Sequence, residues 1–192
     1  MKIDKNTTLA EISLYGNIVK SEHIDTLFER LKNKNKPVTI GGVTVPDNLF
    51  LLTWEQFSNL QVSGTNEKDF FKPFEIILGL EEKQLLNCKL FDIIGFIIFV
   101  RNELERIAKL FEKIKHNPTS EEIQAGINNL DFGTFGTLDW FARRMGFSDH
   151  SVAEKMPLIR IYRCMEIDNA TAKYEKRLRT IIDNKNKPKN RK

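Results

Sequence analysis

Cysteine is scarce, with only Cys88 and Cys164 in 192 residues. Two cysteines cannot build a disulfide framework, and their separation in sequence argues against a redox pair. Both suit a reducing compartment as small buried hydrophobes. Histidine is equally thin. His23, His116 and His150 stand neither at i, i+4 from one another nor at ligand spacing from a cysteine, so the sequence holds no four-ligand zinc set. Phosphate-cradling loops are missing too. Gly41-Gly42 has no following Lys-Ser/Thr, DFGTFGT (131–137) lacks a strand–turn–helix setting, and its DFG triplet has no kinase companions. The longest apolar run, LFDIIGFIIFV (90–100), contains Asp92 and Gly95 and falls well short of the roughly 20 residues of a membrane span. The opening MKIDKNTTLAEIS has no apolar signal core, so secretion is not expected. Carboxylate pairs such as Glu81-Glu82 and Glu121-Glu122 sit where helix dipoles favour acids. No nucleophile, general base, metal set or cofactor loop stands out, so the expectation is a protein that is not an enzyme and carries no cofactor.

What is present is globular. Hydrophobic residues at 41% and charged residues at 29% fit one compact domain or a small module attached to a larger one. The formal charge is +4, but its distribution is uneven: Lys173 to Lys192 hold nine Lys/Arg against Glu175 and Asp183, a local +7, which leaves residues 1–172 at −3. The last stretch, NKNKPKNRK (184–192), has no apolar side chain to offset the entropy of ordering and reads as a disordered basic tail. It either solubilises the chain or grips phosphates or an acidic protein surface.

The first 65 residues read as a small module of helix and hairpin. Ser21 precedes a periodic segment with Ile24, Leu27, Phe28 and Leu31, ended by the polar NKNKP (33–37). In VTIGGVTVP, β-branched residues flank Gly41-Gly42 and predict a hairpin over 38–45. Thr53-Trp54-Glu55-Gln56 is a capping box opening a short helix through Phe57 and Leu60. Leu9, Ile12 and Ser13 echo Leu49, Leu52 and Thr53, so another helix is expected to start at Ser13. SGTNEKD (63–69) marks an internal boundary. Beyond it, residues 66–183 read as a helical domain. Helices are expected from Phe70 to Gly79, over Glu81–Cys88, through 90–115 with its first three turns buried, and from Thr119 to Leu130. DFGTFGT then reads as a turn, Thr137 or a neighbour opens LDWFARRM, Gly146 closes it, Ser148 caps a short piece, and Pro157 starts a last helix to about Asp183. The fold class is mainly α, a helical bundle with one small hairpin in the N-terminal third.

Two features bear on function. Ala142, Gly146, Ser148 and Val152 have the spacing of a helix-turn-helix, but the second helix would open on Asp149, carry Glu154 and meet Pro157. Two packed helices joined by a short turn is the competing reading of 138–156. Aromatic residues are dense, and most lie at core intervals. Trp54, Phe57, Phe132, Phe135 and Trp140 occupy cap-adjacent or turn-like positions that suit partner contact, while Lys185, Lys187, Lys189, Arg191 and Lys192 would steer charge.

The layout resembles that of bacteriophage tail assembly chaperones and related small phage morphogenesis proteins. The resemblance is carried by VTIGGVTVPDNLFLLTWEQFSNL (38–60), the echo LAEISLYGNIV (9–19), FEIILGLEEKQLLN (74–87), and the end FGTFGTLDWFARRMGF…VAEKMPLIRIYRCM…YEKRL. It is one of layout more than of identity. The apolar run at 90–100 and the basic tail are not features that family requires. The resemblance implies a non-enzymatic protein of the host cytoplasm that binds tail-tube or tape-measure subunits and shields their apolar surfaces and sheet edges before assembly. Its partners would be other phage structural proteins, with weak nucleic-acid contact through the tail and no membrane. Two alternatives stay open: a structural virion protein, as connector or internal component, and a nucleic-acid-binding protein using 138–156 and the tail.

Overall fold

The computed structural model describes residues 6–14, 36–62, 70–114, 118–130 and 132–186. Helix α1 (Leu9–Leu14) begins at Thr8, whose hydroxyl accepts from Glu11 N (3.4 Å) while the Glu11 carboxylate accepts from Thr8 N (2.7 Å). That reciprocal capping box, a T-x-x-E signal at 8–11, places Ser13 inside a helix and not at its start. The hairpin pairs β1 (Thr39–Ile40) with β2 (Val43–Thr44), antiparallel, with Thr39 opposite Thr44 and Ile40 opposite Val43. Gly41 and Gly42 between them take φ +55° and +82°, the positive values a two-residue primed turn requires. Lys36 Nζ donates to the carbonyls of Val45 (3.2 Å) and Pro46 (3.1 Å) and to Asp47 (2.9 Å), tying down the strand that leaves the hairpin.

Helix α2 (Trp54–Val62) opens on the expected capping box: Thr53 N donates to Gln56 Oε1 (3.0 Å) and Gln56 N to Thr53 Oγ1 (3.2 Å). Trp54, Phe57 and Leu60 recur at i, i+3, i+6 and are all buried. Helix α3 (Lys72–Leu78) ends at the left-handed Gly79, and α4 (Glu82–Leu85) is shorter than the expected 81–88. In α5 (Leu90–Ile114) burial is nearly continuous from Leu90 to Val100, and beyond Arg101 only Ile107 is fully buried, matching the change of pattern along its sequence. Phe74 of α3 meets Phe96 of α5 with ring centroids 4.7 Å apart, and both are wholly buried.

Helix α6 (Ser120–Gln124) has the predicted capping box between Thr119 and Glu122. It is closed by Ala125 and, past the left-handed Gly126, gives way to a 3₁₀ turn at Ile127–Asn129, so no helix runs through to Leu130. Helix α7 (Gly133–Met145) starts inside DFGTFGT, four residues ahead of Thr137, and ends at the left-handed Gly146. Helix α8 (His150–Glu154) is capped by Asp149, which accepts from Ser151 N (2.9 Å), one residue later than the expected Ser148. Helix α9 (Leu158–Asn186) follows Pro157 directly and includes Asn184–Asn186, three residues expected to belong to the tail. Leu138, Phe141, Ala142, Ala153, Leu158 and Ile161 form the buried centre of these last three helices.

The chain forms two compact units, residues 1–108 and 109–192. The division falls within α5. The boundary expected at 63–69 lies outside the described residues, and the hairpin and α2 contact the helices that follow it. Gln56 Nε2 reaches the carbonyl of Ile76 (3.3 Å), and Leu80 lies against Gly41. The helix expected after Ser21 and the tail residues Lys187, Lys189, Arg191 and Lys192 also lie outside the described residues. Among the described residues no helix is long and apolar enough to cross a membrane.

Candidate partner-binding groove

The aromatic positions singled out in sequence part company. Trp54 and Phe57, expected at a contact surface, are 6% and 4% exposed and belong to the core of the first unit. Their cap-adjacent positions resemble surface sites in sequence, but at i and i+3 they share with Leu60 the buried face of α2. Phe132 and Phe135 are exposed at 68% and 58%, and Trp140 is half-buried. Phe135 packs on the His150 ring (5.1 Å between centroids). Phe132 and Trp140 meet in one place.

That place is an open groove of about 520 Å³ in the second unit. Its walls come from two helix faces with the same spacing. Helix α7 contributes Gly133, Gly136, Thr137 and Trp140, and α9 contributes Met165, Asp168, Asn169 and Ala172, each set at i, i+3, i+4, i+7. Leu130 (63% exposed), Phe132 and Ile114 complete the lining. Small residues at 133, 136 and 172 keep the slot open. Gly136 in particular has no room for a side chain: a Cβ there would lie 2.9 Å from the Cβ of Phe132. The volume lies within the range of small-ligand and side-chain pockets, roughly 300–1,000 Å³.

Asp168 and Asn169 of the groove are engaged in holding it together. Arg144 Nε donates to both carboxylate oxygens of Asp168 (3.0 and 2.9 Å), and its other nitrogen reaches Cys164 Sγ (3.3 Å), joining α7 to α9. Asn169 donates to the Ile114 carbonyl, satisfying one of the unpaired acceptors at the end of α5. The one carboxylate in the lining is therefore paired, and the site offers shape and apolar surface, with no free general base among the lining residues. Among the described residues no three of His, Cys, Asp and Glu converge as a metal set; Cys88 donates to the Gln84 carbonyl (3.5 Å), and His23 and His116 lie outside the described residues.

Beside the groove, the 138–156 segment does fold as two helices about a left-handed glycine, with Ala142 buried at their crossing. Asp139 of α7 pairs with Arg143 and with His150 Nε2 (3.0 Å), and those hydrogen bonds, His150 first, hold its carboxyl below the usual range. As a groove reader the pair is poorly equipped. Helix α8 has five residues, and the N–H of Ser151 in its first turn is taken by the Asp149 carboxylate, where a DNA phosphate would otherwise dock.

Sequence reading reached Phe132 and Trp140 but missed Leu130, Asp168, Asn169 and the α9 wall. The i, i+3, i+4, i+7 recurrence from Met165 to Ala172 was available, though its small and polar residues do not mark an inward face. No protein-family model, no curated protein and no solved structure matches this chain.

Proposed function

We propose that this chain is a non-enzymatic bacteriophage assembly protein that binds tail-tube or tape-measure subunits in the host cytoplasm, as a tail assembly chaperone does. The observation that carries the reading is the apolar groove of the second unit, with Phe132 and Leu130 left exposed on its lining. Large apolar side chains bordering a concave slot gain by being covered, and an unassembled subunit exposes the apolar and sheet-edge surface that would cover them. The layout of hairpin, short helices and long terminal helix supports the same assignment.

The test is co-purification with the proteins encoded beside it, using the full chain, a Phe132→Ala variant and a chain ending at Asp183. Recovery of tail-tube or tape-measure subunits that survives salt and falls about tenfold or more in Phe132→Ala supports the proposal. Retention of nucleic acid alone, washing off steeply with salt, would favour the nucleic-acid reading instead. Stoichiometric presence in purified mature particles would favour a virion component. Thermal melting of Phe132→Ala controls for folding, since an exposed side chain should shift stability by only about 0.5 kcal/mol.

A further inference from the structure

The line of α9 that walls the groove continues past it. Met165, Asp168, Asn169 and Ala172 face the slot. At about 100° per residue, Lys176 and Arg179 return to within about 30° of the mean direction of those four, about one and two turns beyond Ala172. Both are exposed, and neither has an ion-pair partner among the described residues. The carboxylates of this stretch leave them free. Asp168 is held by Arg144. Glu175 lies about 70° off the line, and Asp183, which is on it, comes about 6 Å further out than Arg179. On the opposite wall Gly133, Gly136, Thr137 and Trp140 carry no charge, and Glu112 and Lys113 beside Ile114 offset each other. Asp131 lies outside the described residues. The slot is therefore apolar where Leu130, Phe132 and Trp140 line it and positive where it runs out along α9.

We propose that the groove takes a segment of its protein partner in which large apolar residues stand next to acidic ones. The apolar side chains lie against Leu130, Phe132 and Trp140, and the carboxylates meet Lys176 and Arg179. This names the chemistry of the partner segment and rests on the groove being the binding site. The two halves of the site do different work. Covering Leu130 and Phe132 removes apolar surface from water and supplies the affinity. Exposed cations add little net affinity, but they steer an acidic segment into one direction along α9 and oppose a basic one. The basic end of this chain, NKNKPKNRK (184–192), is a poor occupant on both counts: it has no apolar side chain and sets like charge against Lys176 and Arg179. A nucleic acid would satisfy the two cations and leave the apolar slot uncovered.

The probe is a displayed library of random peptides of about twelve residues, selected on the full-length protein, on Phe132→Ala and on Lys176→Glu/Arg179→Glu. Wild type should enrich peptides that set tryptophan, phenylalanine or leucine beside aspartate or glutamate, and the charge reversal should enrich lysine or arginine in the acidic places. The most enriched wild-type peptide, synthesised and followed by anisotropy, should bind each variant about tenfold or more weakly. The loss in the charge variant should shrink as salt is raised, and helix content by circular dichroism should stay unchanged in both. Apolar peptides enriched with no excess of acid, or equal binding by the charge variant, overturn the proposal and leave the groove standing as a binding site. Equal binding by Phe132→Ala removes the groove as well. No enrichment on wild type overturns the proposal alone, since co-purification decides the groove independently. A Phe132-dependent dimer in sedimentation equilibrium would assign the slot to a second copy and overturn it. Retention of single-stranded DNA through Lys176 and Arg179, with no peptide enriched, would assign the cations to nucleic acid and equally overturn it.

Discussion

The Glu103 carboxylate joins a loop to a helix. It accepts from Leu49 N (3.1 Å) and from Arg106 Nε and a second guanidinium nitrogen (2.7 and 2.8 Å), while Arg106 itself lies 4.9 Å over the Phe50 ring. The hydrogen bond from Arg106 is the main cause that holds its pKa below the usual carboxylate value, against the opposing effect of burial. A folded pKa below the unfolded one, about 4.3 for Glu, stabilises fully above that value and ceases to do so as pH falls through the folded value. Glu103→Gln should therefore cost about 1–2 kcal/mol near neutral pH, and in acid, below the unfolded pKa, the gap to wild type should close. Urea midpoints at the two pH values measure it, and a gap that stays constant would remove the charge from the explanation. Phe141, wholly buried, belongs to a different class: Phe141→Ala should cost about 3–5 kcal/mol in the same assay, whereas Phe135→Ala, 58% exposed, should cost well under 1 kcal/mol.

Among the elements, local signals at the ends account for much of the structure. Thr119→Ala removes the hydroxyl that accepts from Glu122 N and should lower stability by about 1 kcal/mol, read as a shift in thermal midpoint. The hairpin permits a sharper comparison. Gly41 and Gly42 both hold positive φ, so alanine strains either by about 1–2 kcal/mol. At Gly41 an added Cβ would also meet Leu80 at 3.3 Å, whereas at Gly42 it meets open space. Gly41→Ala should be the more destabilising of the two, and equal melting temperatures would mean that Leu80 yields without cost.

For the whole molecule, the uneven charge sets the long-range behaviour. A chain ending at Asp183 loses Lys185, Lys187, Lys189, Arg191 and Lys192 and, with them, a charge of +5. The thermal midpoint should barely move, because Asn184, Lys185 and Asn186 are exposed and make no core. Weak retention on non-specific duplex DNA, screened away between about 50 and about 200 mM salt, should fall with those charges. Salt-resistant retention by the shortened chain would instead point to the α7–α8 pair as a nucleic-acid surface.

Sequence alone determined the features that depend on a few neighbouring residues. The hairpin follows from two glycines between β-branched runs, the starts of α2 and α6 from Thr53/Gln56 and Thr119/Glu122, and the buried-then-amphipathic course of α5 from its own periodicity. These interactions close within about one helical turn, so local order specifies them. Tertiary structure decided which apolar positions face inward and which meet in space. Trp54 and Phe57 look like surface anchors in sequence and are core; Phe132 and Trp140 become one site only because α9 supplies Met165 and Ala172 opposite them. The beginning of α7 was decided in the same way: a stretch of glycines that reads as a turn becomes helix when Leu138, Phe141 and Ala142 beyond it are buried, since packing gained further along the helix outweighs a helix propensity cost of about 1 kcal/mol per glycine.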